Sequence, residues 1–303
     1  MLEVYAYNAG KGECIRIRFS ESHNIFIDTG VMRFAPSFKR ICDQIQSCGE
    51  TLDALILTHA DDDHIGGILA NLRLSNYSCP FQEVWMNHIG GATAEDRYLS
   101  VRHNDEVYAR LLQRGIKVLP MLKDDERTVA EAKIKTVWPE KETIHFDTHR
   151  SKDALLSHHS DYRRSLTELA QLPIKSHDVS QNNKQSIIFS FHYCGKSLLF
   201  TGDAWAEDVV KAVGSYDLIK LPHHGSVRNI SDEYKDNIQS ANFLICTDGG
   251  DHPDKQTVAK LEKWYGHINI YSPVAWWKNR FFLPGDTNHS INYSQKEGLV
   301  VAW

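Results

Sequence analysis

Leu57–Gly67 reads LTHADDDHIGG. Four side chains able to hold a cation, His59, Asp61, Asp63 and His64, fall within six residues just after the apolar run Leu52–Leu57. An apolar run of that length predicts a buried strand, and a loop leaving its end opens into a cleft. Carboxylates this close repel one another unless a cation neutralises them. The plain alternative is an acidic helix N-terminus, with Asp63 capping a helix that starts near Ile65. One aspartate would fit that role. Four ligand-type side chains at this spacing favour a divalent metal, with Asp62 left facing solvent.

The flanking segments alternate between strand and helix patterns. Upstream, Leu2–Tyr7, Cys14–Phe19 and Asn24–Ile27 read as strands, with a glycine turn at Asn8–Gly12 (NAGKG) and Asp28-Thr29-Gly30 closing the third. Phe38, Ile41, Cys42, Ile45 and Cys48 recur at helical spacing, and Gly49 is placed to end that helix. Downstream come a strand at Val84–Met86, a helix near Ala94–Gln113, and strands at Ile116–Leu119 and Ile134–Trp138. The second half repeats the style. Strands Ser186–His192 and Ser197–Thr201, a helix near Trp205–Val213 and strands at Leu218–Leu221 and Phe243–Cys246 precede a helix at Lys255–Tyr265 and closing strands to Val301. Alternation in two similar halves predicts an α/β fold, a four-layer αββα sandwich. The chain is read as one domain over 1–303, with a polar, histidine-rich insertion at about 140–182 that carries a helix around Tyr162–Gln171.

Bulk properties narrow the function classes. A net charge of −5 supplies no global positive field to draw in nucleic acid or membrane, so an anionic substrate must be held by local groups or by metal. No apolar run approaches the ~18–20 residues of a membrane helix. Met1–Gly10 (MLEVYAYNAG) has neither the basic nor the apolar part of a secretory leader. The six cysteines form no CxxC pair and read as reduced thiols, mostly core filler. A cytoplasmic protein with no membrane role is expected.

Further candidates lie in the second half. Asp203 ends Leu198–Asp203 (LLFTGD), and His223-His224 follow the apolar run Leu218–Leu221 within Ile219–Ser226 (IKLPHHGS). An ordinary strand-end carboxylate and a surface turn are the alternatives, and the apolar strands before both segments favour a site. His252, a loop histidine before Pro253, reads by its residues more readily as structural or exposed than as functional. His88 reads as a loop residue, and His145, His149, His158, His159 and His177 as solvated residues of the insertion. Lys255–Phe282 interleaves five basic residues with Trp264, Tyr265, Trp276, Trp277, Phe281 and Phe282. That is the composition of a single-stranded polynucleotide groove; the favoured alternative is an aromatic core with the lysines on an exposed face.

The 57–67 segment resembles the HxHxDH motif of the metallo-β-lactamase superfamily, with Asp61 where the second histidine usually stands. This HxDxDH form followed by Ile-Gly-Gly is similar to the hydrolase domain of the ComEC-type DNA-uptake proteins and their stand-alone relatives. Gly10–Glu13 with Asp28-Thr29-Gly30, Asn183–Ser186 (NKQS), Leu198–Asp203, Ile219–Ser226 and Asp251–Asp254 (DHPD) resemble further motifs in the family's order, over nearly the whole chain. The resemblance implies one or two divalent metal ions held by His59, Asp61, Asp63, His64, Asn183, Asp203 and the His223–His224 pair, with Asp203 as the bridge. His223 is the preferred ligand of the pair, and His224 is left for the substrate phosphate or a supporting contact. Asp61 and Asn183 replace imidazoles by oxygen donors, which shifts the first metal position from zinc toward manganese or magnesium, or toward weak occupancy.

Metal-activated water suits phosphodiester, ester and lactone hydrolysis. Asp63 is the expected orienting base, with His252 or His224 donating to developing charge. The resemblance points to a metal-dependent phosphodiesterase or nuclease acting on DNA or RNA. Hydrolysis of small phosphoesters or lactones is the second reading, and a metal-binding module without turnover the third. A protein partner is left open.

Overall fold

The computed structural model describes residues 1–88, 99–144, 160–286 and 289–303. The first half gives β1 (Leu2–Ala6), β2 (Ile15–Phe19), β3 (His23–Ile27), α1 (Ala35–Ser47), β4 (Thr51–Leu57), α2 (Asp62–Leu72), β5 (Glu83–Met86), α3 (Leu99–Gln113) and β6 (Lys117–Leu119). Next come β7 (Glu126–Val129), β8 (Ala132–Trp138), α4 (Leu166–Gln171), α5 (Gln181–Lys184), β9 (Ile188–Tyr193), β10 (Lys196–Phe200), α6 (Ala206–Val209), β11 (Gly214–Ser215) and β12 (Leu218–Lys220). The chain closes with α7 (Tyr234–Asn237), β13 (Ile238–Gln239), β14 (Asn242–Leu244), α8 (Lys255–Tyr265), β15 (Ile268–Ser272), β16 (Ile291–Gln295) and β17 (Gly298–Ala302).

Two large sheets result, ordered β17-β1-β2-β3-β4-β5-β6 and β16-β15-β14-β12-β10-β9-β8-β7, beside the small pair β11-β13. Strand alternation sorts side chains into three apolar layers. From β4, Ala54 and Ile56 join the inter-sheet core with Phe189, Phe191, Leu198 and Phe200, whereas Leu55 and Leu57 face α1 and α2 beside Phe38, Ile65 and Leu69. From β10, Leu198 points between the sheets and Leu199 outward, against a layer that includes Val258 and Leu261 of α8. The four-layer αββα sandwich follows. The described part of the 140–182 segment contributes Leu166, Leu169 and Ala170 to that outer core, so it is less wholly polar than its composition implies. All six cysteines are free, and Cys14, Cys42, Cys79 and Cys246 are buried.

Boundaries differ where local pattern is weak. Helix α2 begins at Asp62, not near Ile65, so Asp63 sits inside its first turn and cannot cap it; Asp61 is the N-cap residue and makes no side-chain cap bond. The helix near Trp205–Val213 is one turn, Ala206–Val209. Strand β7 and the β11-β13 pair carry too few apolar residues to show in the pattern. Residues 94–98 of the expected third helix lie outside the described residues. No described helix is long and apolar enough to cross a membrane.

Candidate metal centre

The site gathers at the carboxyl ends of β3, β4, β10, β12 and β14, where parallel pairing (β3 with β4; β12 with β10 and β14) opens all the following loops on one edge. A glycine lets the loop after β1 touch the segment after β4: a Cβ on Gly12 would lie 1.8 Å from the carbonyl oxygen of Asp63. Thr29 clamps the metal-type loop from the other side, its N–H and hydroxyl both donating to the His64 carbonyl, at 2.7 and 2.9 Å.

Buried hydrogen bonds then aim the imidazoles. Asp28, fully buried, accepts from Thr58 N–H at 2.8 Å and Thr58 Oγ1 at 2.7 Å, and its Oδ2 lies 2.7 Å from His64 Nδ1. Burial lowers His64, but Asp203 and Asp28 outweigh it and raise the ring well above the usual imidazole value; with an ion bound, a proton kept on Nδ1 would leave Nε2 free for the cleft. His224 Nδ1 lies 2.8 Å from the Cys246 carbonyl, which can only accept, so its Nε2 is bare. His59 Nδ1 is 3.0 Å from Thr58 Oγ1.

All of these nitrogens face Asp203 Oδ2, at 3.3 Å for His64, 3.4 Å for His224 and 4.0 Å for His59. Asp63 Oδ2 is 3.8 Å from His224 Nε2. The Nε2 atoms of His59, His64 and His224 are buried without a hydrogen-bond partner, which native structures rarely tolerate. Two ligands about 2.1 Å from one tetrahedral ion lie about 3.4 Å apart, so the spacing matches what a divalent cation would impose. The ligand-type groups His59/His64/Asp203 and Asp63/His64/His224 satisfy this closeness, and the residues present fit one or two divalent ions. Burial raises the Asp203 carboxyl, but His224, His64 and His223 outweigh it and hold it well below the usual range. Burial lowers His224 to about 4 despite Asp203, leaving the ring neutral, as a ligand must be.

The remaining candidates sit differently. Of the pair, His224 joins the close ligand-type groups, while His223 Nε2 lies as far from Asp203 Oδ2 as that of His59 does, 4.0 Å. Both residues have positive φ, 46° and 55°, which turns the two rings apart. His223 Nδ1 faces Asp178 Oδ2 at 3.2 Å and Asn229 Oδ1 at 3.0 Å, and its Nε2 is 4.0 Å from Asp203 Oδ2. Burial lowers His223, but Asp203 and Asp178 carry it to about 9. Asn183 gives its amide N–H to Asp178 at 2.7 Å, leaving its buried Oδ1 without a partner. Asp61 accepts at Oδ1 from Asn182 at 2.8 Å, with Oδ2 3.7 Å from His59 Nε2. Asp62 is half exposed and ion-paired with His103.

His252 lies on the rim of a cleft of about 90 Å³ with Lys11, Asp63, His224 and the acids Asp248 and Asp251; its ring centroid is 5.1 Å from that of His223. His88 stacks on Tyr108 at 3.9 Å and meets Asp105 at 2.8 Å, as a loop residue would. His177 is exposed, and His145, His149, His158 and His159 lie outside the described residues. The polynucleotide-groove reading of Lys255–Phe282 is not what forms. Lys255 is buried against Asp286 at 2.6 Å, Lys260 is buried near Asp232, and Trp276 and Phe281 are core.

Asp28, Thr58, Asp178, Glu13 and Lys220 were not singled out from sequence. Asp28, Glu13 and Lys220 stand inside motifs that carried the resemblance. Asp178 stands in an irregular stretch with no local signal.

Residues 8–77 match the family model of the metallo-beta-lactamase superfamily. No curated protein matches the chain. Solved structures with a detectable likeness include YhfI, a metallo-beta-lactamase fold protein from Bacillus subtilis, at 12% identity over the whole of both chains with a TM-score of 0.48. A diphosphatase of the PhnP family shows 11% identity over all of this chain and 98% of its own, with a TM-score of 0.45. A HARLDQ-motif mutant of a metallo-beta-lactamase from Cronobacter sakazakii shows 14% identity over 66% of this chain, with a TM-score of 0.34; this chain spans 61% of that enzyme's length. The family match is confined to residues 8–77, which hold His59, Asp63 and His64, and the candidate ligand groups converge beside that segment.

Proposed function

We propose that the chain is a metal-dependent phosphodiesterase, using one or two divalent ions held by His59, Asp63, His64, Asp203 and His224. The observation that carries this reading is the convergence of three buried, unpartnered imidazole nitrogens on one oxygen of Asp203. Divalent ions in such a donor set make water a competent nucleophile near neutral pH and stabilise charge on the reacting oxygens.

The chain's own residues do the rest. Asp28 and the Cys246 carbonyl hold His64 and His224 in the tautomer that keeps Nε2 free. Asp63 is only 18% exposed yet reaches the cleft, and its Oδ2 orients the attacking water and takes up its proton. Lys11 Nζ, 3.9 Å from that oxygen, and His252 at the rim offer donors to an anionic substrate. Asp61 and Asn183 complete a second, oxygen-rich position, suited to manganese or magnesium more than zinc.

DNA or RNA is the substrate class suggested by the motif resemblance. A small phosphoester or lactone is the second reading, favoured by the size of the cleft, by its acids Asp248 and Asp251, and by the burial of Lys255 and Lys260. The chain works on this view as a cytoplasmic enzyme, with any protein partner unassigned. The test is cleavage of single- and double-stranded DNA and RNA, and of bis(p-nitrophenyl) phosphate, with added Mn²⁺, Mg²⁺ or Zn²⁺. Metal-dependent polymer cleavage that Asp63→Ala abolishes is expected. Turnover of the small ester alone would move the assignment to the second reading, and metal binding without any turnover would leave a binding module.

A further inference from the structure

Beneath the metal-type cluster lies a cation the chain carries itself. Strand parity sends Leu218 between the sheets and Ile219 outward, so Lys220 falls on the inward-facing side of β12. Its side chain is fully buried. The ammonium is ion-paired with the equally buried carboxylate of Glu13, from the glycine turn after β1. It also donates to the Gly202 carbonyl at 2.8 Å and lies 3.6 Å from Asp203 Oδ1.

Asp203 is thereby divided. Its Oδ1 faces Lys220, and its Oδ2 faces the imidazoles of His64, His224 and His59. From the opposite side, Ser186 Oγ accepts the Asp203 N–H at 3.1 Å. Two further ligand-type groups, Glu13/Asp203/His224 and Glu13/Asp28/His64, share the Glu13 carboxylate, and Lys220 already pairs with it. A buried ion pair contributes little net stability compared with a neutral pair of similar shape. Its position beside one oxygen of a candidate bridging carboxylate is therefore the feature to explain.

We propose that Lys220, anchored by Glu13, is a positioning residue for the metal centre: it holds the Gly202–Asp203 turn and one oxygen of Asp203 so that the other is presented to the metal. This rests on the metal-centre reading above. Charge and positioning predict opposite signs. An ammonium beside the centre repels a divalent ion, so removing its charge alone would tighten binding, whereas losing the hold on Asp203 would weaken it. The double variant Glu13→Gln/Lys220→Met removes one charge of each sign and isolates positioning.

The experiment is zinc affinity of the full-length protein, measured by competition with a chromophoric chelator, with thermal unfolding of the chelated proteins as the folding control. Wild type is expected to bind zinc, and the folded double variant to bind it about 10- to 100-fold more weakly, the size found when a partner behind a metal ligand is lost. Wild-type affinity in the folded double variant would overturn the proposal and leave Lys220 as a mere counter-charge to Glu13. No zinc binding by wild type would instead overturn the metal centre itself. Should the double variant fail to fold, the ¹⁵N signal of Lys220 Nζ in the unaltered protein decides. It is expected to move on zinc addition, while that of Lys255, equally buried but paired with Asp286, stays still. A Lys220 signal that does not move overturns the proposal.

Discussion

On the α2 side of Asp203, His64 and His224 each have one ring nitrogen tied to a buried acceptor and the other aimed at Asp203 Oδ2. On the α5 side, the corresponding groups are largely engaged elsewhere. Asp61 Oδ1 accepts from Asn182, the Asn183 amide N–H goes to Asp178, and His223 faces Asp178 and Asn229. His59 Nε2 and Asn183 Oδ1 are the buried atoms on that side left without a partner. Preorganised ligands need no reordering when an ion arrives, and ligands already engaged must first be released. On the proposed metal-centre reading, the α2 flank is the one expected to bind more tightly and the α5 flank the one expected to bind more weakly.

The largest effect should come from Asp203, which both flanks share. Asp203→Ala is expected to abolish metal retention in elemental analysis and to slow hydrolysis by at least about a thousandfold, since metal assistance is worth several kcal/mol. Retained metal would break the comparison outright, because among the described residues no other carboxylate faces all three imidazoles. Next comes Asp28→Asn, which touches no substrate. It should weaken metal binding about 10- to 100-fold by freeing the His64 ring. An unchanged affinity would mean that Thr58 and packing alone orient that imidazole.

These two predictions also mark what could be read in advance. The strands and α8 were legible because apolar alternation and helical periodicity survive in Leu52–Leu57 and Lys255–Tyr265. Asp203 was legible because a strand end and a Thr-Gly-Asp turn mark it locally. Asp28 appeared only as part of a motif, since its role depends on Thr58 and His64, some thirty residues away. The positive φ values of His223 and His224, 46° and 55°, are encoded by no residue pattern, so how the two rings are placed could not be read in advance. Lysine in Lys255–Phe282 looked solvent-facing by type; Lys255 is buried because Asp286, thirty-one residues on, supplies its counter-charge.

On the weaker flank, Asp61→Ala should lower metal affinity only a few-fold, roughly 1 kcal/mol or less, since its side chain is 31% exposed and one oxygen is already engaged. Metal titration of this variant beside His64→Ala sharpens the comparison. Equal losses in the two would show that the flanks are equivalent and the contrast in hydrogen bonding irrelevant.

The smallest effect on metal is expected from Asp178→Asn, and its signature should be stability. Burial pushes the Asp178 carboxyl up, but hydrogen bonds from His223, Asn183 and Asn229 bring it down to about 2. A carboxyl whose folded pKa is depressed adds stability above its unfolded value near 4, and that stability is lost as pH falls from about 4 toward 2. The shift is worth about 2 kcal/mol. Asparagine at this position keeps the shape, removes the titration and sets an amide against two donor amides. Thermal unfolding of Asp178→Asn should therefore show a lower midpoint than wild type at pH 7, with the gap narrowing below pH 4, while metal affinity changes little because His223 stands outside the close ligand groups. A variant that unfolds like wild type but loses metal would reverse the assignment, making Asp178 the orienting carboxylate of a histidine ligand and His223 a member of the centre.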